Sequence, residues 1–523
     1  MYDLLIRNAR LLDGTGSPWY YGDLAVKDGI IAAMGALRGE NARETVDAEG
    51  LYLAPGFIDI HSHSDTSILD CRRSESRIFQ GVTTEVGGNC GMSVAPVAPE
   101  TLDLLRDYMG PMPYDWADME QFLDRVEQGG HSANFACLAG HGTLRIAVMG
   151  FSDARATQAQ CDAMRKLGEQ AMAQGAFGIS SGLIYPPGSF SDTHELAEVA
   201  RAVVPFGGLY TTHMRNEGLR LVPSLEEALE TARLSGAKLQ ISHHKCVAKQ
   251  DWQVSVRTTI AMLQRARRQG VDVFCDQYPY SASATSITSN FPDWGFAGGM
   301  EALLDRLRDP ETRARLCAES DEGHIGRWGD IYVSDTACAE DAWMIGKNLV
   351  EIGQQTSQPP VQALADLVIR ARGMADEVNY GMCEEDIETI MAQPFVMPGS
   401  DGKAYSLSQP GKPHPRNYGT FVRVLARYCR DRALFPVEEA VRKMTSLPAG
   451  RLGLHDRGLL RPGMRADLVL FDLAALDDTP SYDKPQQACR GIERVWVNGV
   501  LTAQRGEHTG ALAGMTLRKG INC

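Results

Sequence analysis

Residues able to hold a metal recur in short strings along this chain. His61 and His63 stand two apart at the end of an apolar run, P-G-F-I-D-I-H-S-H-S-D, residues 55–65. Alternate residues of a strand share a face, so both imidazoles point the same way. Two neutral imidazoles make half of a zinc site. With 12 His in 523 residues, chance gives about 0.3 H-x-H pairs, so the pair gains weight only if other strands bring partners. Four candidates follow: Cys90 in G-G-N-C-G, His213 in T-T-H-M-R-N-E, His243 in S-H-H-K and Asp401 in G-S-D-G. Taken singly, Cys90 reads as packing, either histidine as a hydrogen-bonded core residue, and Asp401 as an Asx-turn. A thiolate, imidazoles and a carboxylate converging on one face instead suit zinc, which accepts S, N and O ligands.

Such convergence needs a scaffold that gathers strand ends. Eight β-prone segments end in these strings or their equivalents: 57–63, 83–90, 134–141, 177–185, 209–215, 238–245, 271–280 and 395–401. Most are separated by helical patterns such as S-V-R-T-T-I-A-M-L-Q-R-A-R-R-Q-G. Eight βα units predict a distorted TIM (β/α)8 barrel, whose C-terminal strand ends share one mouth. A doubly wound open sheet is the rival architecture. Residues 300–394 read as a long, mostly helical insertion before the last strand. Residues 1–54 and 451–523 alternate short β-prone runs with Asp-Gly and Asn-Gly turns, and are expected to complete one small β-sandwich beside the barrel at 55–450.

Composition narrows the partners. A formal charge of −14 disfavours nucleic acid. No apolar stretch is long enough to span a bilayer and the N-terminus has no signal-like pattern, so a cytoplasmic protein without a membrane partner is expected. The 12 cysteines form no C-x-x-C pair and read as reduced thiols. Oligomeric state is not legible.

The strings above, with G-I-S-S-G-L-I-Y-P-P, D-Q-Y-P-Y, H-P-R-N-Y-G-T-F and A-D-L-V-L-F-D, resemble the N-acyl-D-amino-acid deacylase (D-aminoacylase) family of the amidohydrolase superfamily over nearly the whole chain. H-x-H is common across that superfamily, whereas G-N-C-G and S-H-H-K are specific to the narrower family. Hydantoinase-like members bridge two metals with a carboxylated lysine at the end of strand four; here G-I-S-S-G-L offers none, and Cys90 supplies the anion.

The resemblance implies zinc-dependent hydrolysis of a small N-acyl-D-amino acid to a carboxylate and a free D-amino acid. A tightly held zinc would take Cys90, His213 and His243, with His61 and His63 lining a second, weaker position. Asp401 would accept a proton from the attacking water and return it to the leaving nitrogen. Lys245 and Arg416, with Tyr278 or Tyr280, match the positions that bind the substrate α-carboxylate. Residues 278–299 hold no Lys or Arg, which favours a neutral or hydrophobic side chain. His141 in A-G-H-G-T divides evenly between site and structure. Two rivals stand beside this reading: a sister amidohydrolase acting on another linear or cyclic amide, such as an N-substituted formamide, and a metal-free scaffold.

Overall fold

Every segment expected to supply a barrel strand contains one. In the computed structural model, which describes residues 1–523, the eight strands are Phe57–Asp59, Val82–Gly87, Asn134–Cys137, Gly178–Gly182, Leu209–His213, Lys238–Ile241, Val273–Gln277 and Val396–Pro398. Nearly all their residues are buried, as parallel strands covered on both faces require. Neighbours pair in parallel from the first strand to the third and from the fourth to the eighth. The third strand breaks at Leu138, and its continuation, Ala139–Gly140, pairs with the fourth. The eighth returns to the first through a Ser62–Gly402 bridge and an Asp401 N–H donated to the His61 carbonyl at 2.8 Å. The ring is therefore closed, a distorted (β/α)8 barrel and not an open sheet.

Helices cover the barrel for reasons visible in their sequence. Thr157 and Gln160 form a reciprocal capping box at the start of the helix Gln158–Ala173. Its buried residues, Cys161, Met164, Gly168, Ala171 and Met172, recur at three- and four-residue spacing and form one inward stripe.

The insertion carries helices such as Met300–Arg308, Pro310–Gly323 and Pro360–Arg370, and its two short strands, Ile331–Thr336 and Ala375–Tyr380, join Ala282–Ser286, which precedes it, in a three-stranded antiparallel sheet that overhangs the barrel mouth. Each strand is short, and the two inside the insertion lie between helical segments, so their two-residue period is lost among helical patterns.

The two chain ends share a nine-stranded sheet, the β-sandwich lobe. Tyr52–Pro55 from the N-terminal part pairs antiparallel with Leu468–Phe471 from the C-terminal part. Asn498 and Gly499, both at positive φ (49° and 82°), turn the hairpin between Ile492–Val497 and Val500–Gln504. No helix is long and apolar enough to cross a membrane.

Candidate metal centre

The strand ends bring the chemistry to one point. Cys90 Sγ lies 3.3 Å from His61 Nε2 and 3.3 Å from His243 Nε2. Asp401 Oδ1 is 3.3 Å from His61 Nε2 and 2.9 Å from His63 Nε2. His61, Cys90, His243 and Asp401 each offer one ligand atom within 4.8 Å of the others, and all four are buried. His213 packs edge-on against His243, ring centroids 4.3 Å apart, and both its ring nitrogens are buried without a hydrogen bond. Such orphaned nitrogens are costly unless something binds them. With a thiolate and a carboxylate alongside, this donor set fits zinc.

Backbone strain shapes the site. Cys90, His243 and Asp401 adopt positive φ (53°, 34° and 52°), which non-glycine residues rarely do. Three strained residues at one strand-end cluster mark a place where geometry is held by the surrounding fold. Gly182 shows how tightly: a Cβ there would lie 2.0 Å from the Cys90 carbonyl oxygen.

Polar partners orient the imidazoles. His61 Nδ1 meets Asp276 Oδ1 at 2.8 Å, and the same oxygen accepts the His243 N–H at 2.7 Å. His243 Nδ1 has Glu217 Oε1 at 3.0 Å and Lys245 Nζ at 2.7 Å; it can donate to the first or accept from the second, not both. Donation to Glu217 leaves Nε2 free for a metal. Burial would raise the Cys90 thiol, yet His61 and His243 pull it well below the usual thiol range. Burial lowers His213 and keeps it neutral, the form that ligates. Against burial, Arg416 and His243 hold the Asp401 carboxyl well below its usual range.

The remaining candidates spread outward. Arg416 Nη1 binds Asp401 Oδ2 at 2.6 Å, and its guanidinium lies 4.9 Å from the Tyr278 ring centroid. Lys245 Nζ pairs with Glu217 at 2.6 Å. Tyr278 is buried with its hydroxyl unpaired, whereas the Tyr280 hydroxyl reaches the Pro415 carbonyl at 3.4 Å, behind His414. His141 binds Glu195 at 2.9 Å in a buried network with Arg145, outside the cavity lining. Asp276, in D-Q-Y-P-Y, and Glu217, in T-H-M-R-N-E, are site residues absent from the sequence-based set; the available signal was a carboxylate within the same strings as the candidate ligands and tyrosines.

The cluster opens into a cavity of about 630 Å³ lined by His63, Cys90, Asp401 and Arg416. Its apolar lining includes Met92, Tyr108, Met109, Met300 and Met374.

Residues 44–503 match the amidohydrolase family profile. The chain belongs to the amidohydrolase family. It is 38% identical over 522 residues to a D-aminoacylase of Alcaligenes xylosoxydans xylosoxydans, covering 99% of this chain and 98% of the relative. It is 36% identical to an N-acyl-D-aspartate deacylase of the same organism, covering 97% and 93%. The solved N-acyl-D-glutamate deacylase of Bordetella bronchiseptica, complexed with zinc and a phosphonate inhibitor, superposes with a TM-score of 0.84 at 33% identity, covering 99% of both chains. This amidohydrolase therefore carries its metal-ligand candidates in a fold shared with a zinc-bound structure.

Proposed function

We propose that this amidohydrolase hydrolyses the amide of N-acyl-D-amino acids with neutral or hydrophobic side chains, releasing a carboxylate and a free D-amino acid. The observation that carries the reading is the meeting of Cys90, His61, His243 and Asp401 in one buried cluster beside Arg416. The full-length similarity to D-amino-acid deacylases supports the substrate class.

Cys90, His213 and His243 would hold the tighter zinc, with His61 and His63 at a second position. Zinc there supplies a Lewis acid for the amide carbonyl and acidifies water. Asp401, kept ionised by Arg416, accepts the water proton and delivers it to the amide nitrogen, without which the amine is a poor leaving group. Arg416, whose two Nη atoms donate to Asp401 Oδ2 and the Ala284 carbonyl, and Lys245, with Tyr278 between them, supply the positive charge for the substrate α-carboxylate. The lining methionines give an apolar side chain an adaptable surface.

The test is a hydrolysis panel of N-acetyl-D- and N-acetyl-L-amino acids, with and without added zinc. The expected result is zinc-dependent turnover of D substrates, best with apolar side chains. No turnover of any N-acyl-D-amino acid by zinc-loaded protein would sink the reading. Arg416→Ala should lower kcat/KM on every substrate, because Arg416 also holds Asp401, and more steeply on these substrates than on an amide lacking a carboxylate.

A further inference from the structure

Two basic side chains line the cavity, and they differ in one respect. Arg416 is already neutralised by Asp401 at 2.6 Å. Lys245, just behind the lining, is neutralised by Glu217 at 2.6 Å. Lys403 is the other lining cation, and its ammonium makes no hydrogen bond and no ion pair within 4 Å; only its backbone N–H is engaged, by Asn417 Oδ1 at 2.7 Å. The backbone that carries it is fixed. Gly402 bridges to Ser62, the Ala404 N–H donates to Ser64 Oγ at 3.0 Å, and the Tyr405 N–H donates to Ser76 Oγ at 2.9 Å. A half-buried cation held on a rigid segment, two residues from Asp401, is a prepared anion contact.

We propose that Lys403 recognises a second carboxylate on the substrate, beyond the α-carboxylate, so that the favoured substrates are dianionic N-acyl-D-amino acids. This inference rests on the deacylase reading above. The cavity offers a substrate three environments: Arg416, the lining methionines and Lys403. An N-acyl-D-amino acid has three groups to place: the α-carboxylate, the side chain and the acyl tail. With an apolar side chain on the methionines, the group left for Lys403 is an acyl tail ending in a carboxylate, the half-amide of a dicarboxylic acid.

The competing partners belong to the overhanging sheet. Asp335 and Asp376 face each other across two of its strands and line the same cavity, neither within 4 Å of a cation. If Lys403 swung onto them it would tie the insertion to the barrel, and its loss would affect every substrate alike.

The experiment uses zinc-loaded full-length protein and the variants Lys403→Met and Lys403→Arg. Steady-state kinetics are compared on N-acetyl-D-methionine, N-succinyl-D-methionine and N-acetyl-D-glutamate. A charge-assisted hydrogen bond predicts that Lys403→Met lowers kcat/KM on the succinyl substrate at least about tenfold more than on the acetyl one, mainly through KM, with Lys403→Arg recovering most of it. If the selective loss falls on N-acetyl-D-glutamate instead, Lys403 faces the side chain and the acyl-tail assignment is overturned. Equal losses on all three substrates, or no selective loss, overturn the proposal. If wild-type protein hydrolyses none of them, the deacylase reading falls and the role of Lys403 falls with it.

Discussion

Cys90 decides the chemistry of this site more than the histidines that first attract notice. A buried thiol between His61 and His243 is pulled well below the usual thiol range by those imidazoles, and a thiolate at that point is an anionic ligand suited to zinc. Cys90→Ala should therefore abolish zinc retention, read as metal content after dialysis, whereas His61→Ala should weaken only the second position. Zinc retained by Cys90→Ala, or equal loss in both variants, would argue for a jointly held two-metal centre. Asp401→Asn should cut kcat by about 10²–10⁴ if it shuttles the proton, with KM changed far less. At this scale the sequence was legible where a residue type is rare and its setting specific, as in G-N-C-G. It was not legible for Asp276 and Glu217, because what makes a carboxylate a positioning group is the imidazole it meets, 215 and 26 residues away in sequence. Lys403 is illegible for the opposite reason: its significance is the absence of a partner, which depends on the folded arrangement around it.

The elements were easier to foresee than their edges. Alternation of apolar strands with amphipathic helices announces the barrel: seven strands lie inside the expected segments, and the second, Val82–Gly87, begins one residue before its segment. The overhanging sheet escaped notice because its strands pair with each other across long helical intervals, a non-local relation that no period reveals. The eighth strand shows how an element is held in place. Lys443, on the helix Val437–Met444, is fully buried and donates to the carbonyls of Gln393 and Val396 at the start of that strand. Burial pushes its pKa down to about 7. An unfolded lysine keeps its proton to about 10.4, so between these values the unfolded chain binds more protons and stability rises with pH. Relative to Lys443→Met, the wild-type protein should gain thermal stability from pH 7 to 10, with a slope of at most about 1.4 kcal/mol per unit. A stability difference that stays flat with pH would show that Lys443 is charged in the folded state.

At the scale of the whole molecule, the question is why the chain's two ends must meet beside a barrel that contains every candidate ligand. Asp467, in the A-D-L-V-L-F-D string, supplies the physical link. Its carboxylate accepts from Asn134 Nδ2 of the third barrel strand at 3.0 Å, from Arg457 Nη1 at 3.0 Å and from the Asn498 N–H of the sandwich hairpin at 2.7 Å. Its carbonyl accepts the Gly56 N–H, immediately before the first barrel strand, at 2.8 Å. One buried residue thus ties the hairpin, the sandwich strand and two barrel strands together. Asp467→Ala leaves these donors without their acceptor in a dry interior, and removing one partner of such a network costs roughly 3–5 kcal/mol. Asp467→Asn, which keeps the shape and one acceptor oxygen, should cost less. The expected readout is a lowered midpoint for Asp467→Ala and a separation of unfolding into a sandwich step and a barrel step, followed by calorimetry. If the variant still unfolds in a single transition near the wild-type midpoint, the two regions are coupled by the apolar packing of Phe57, Val82 and Phe471 instead of by this carboxylate.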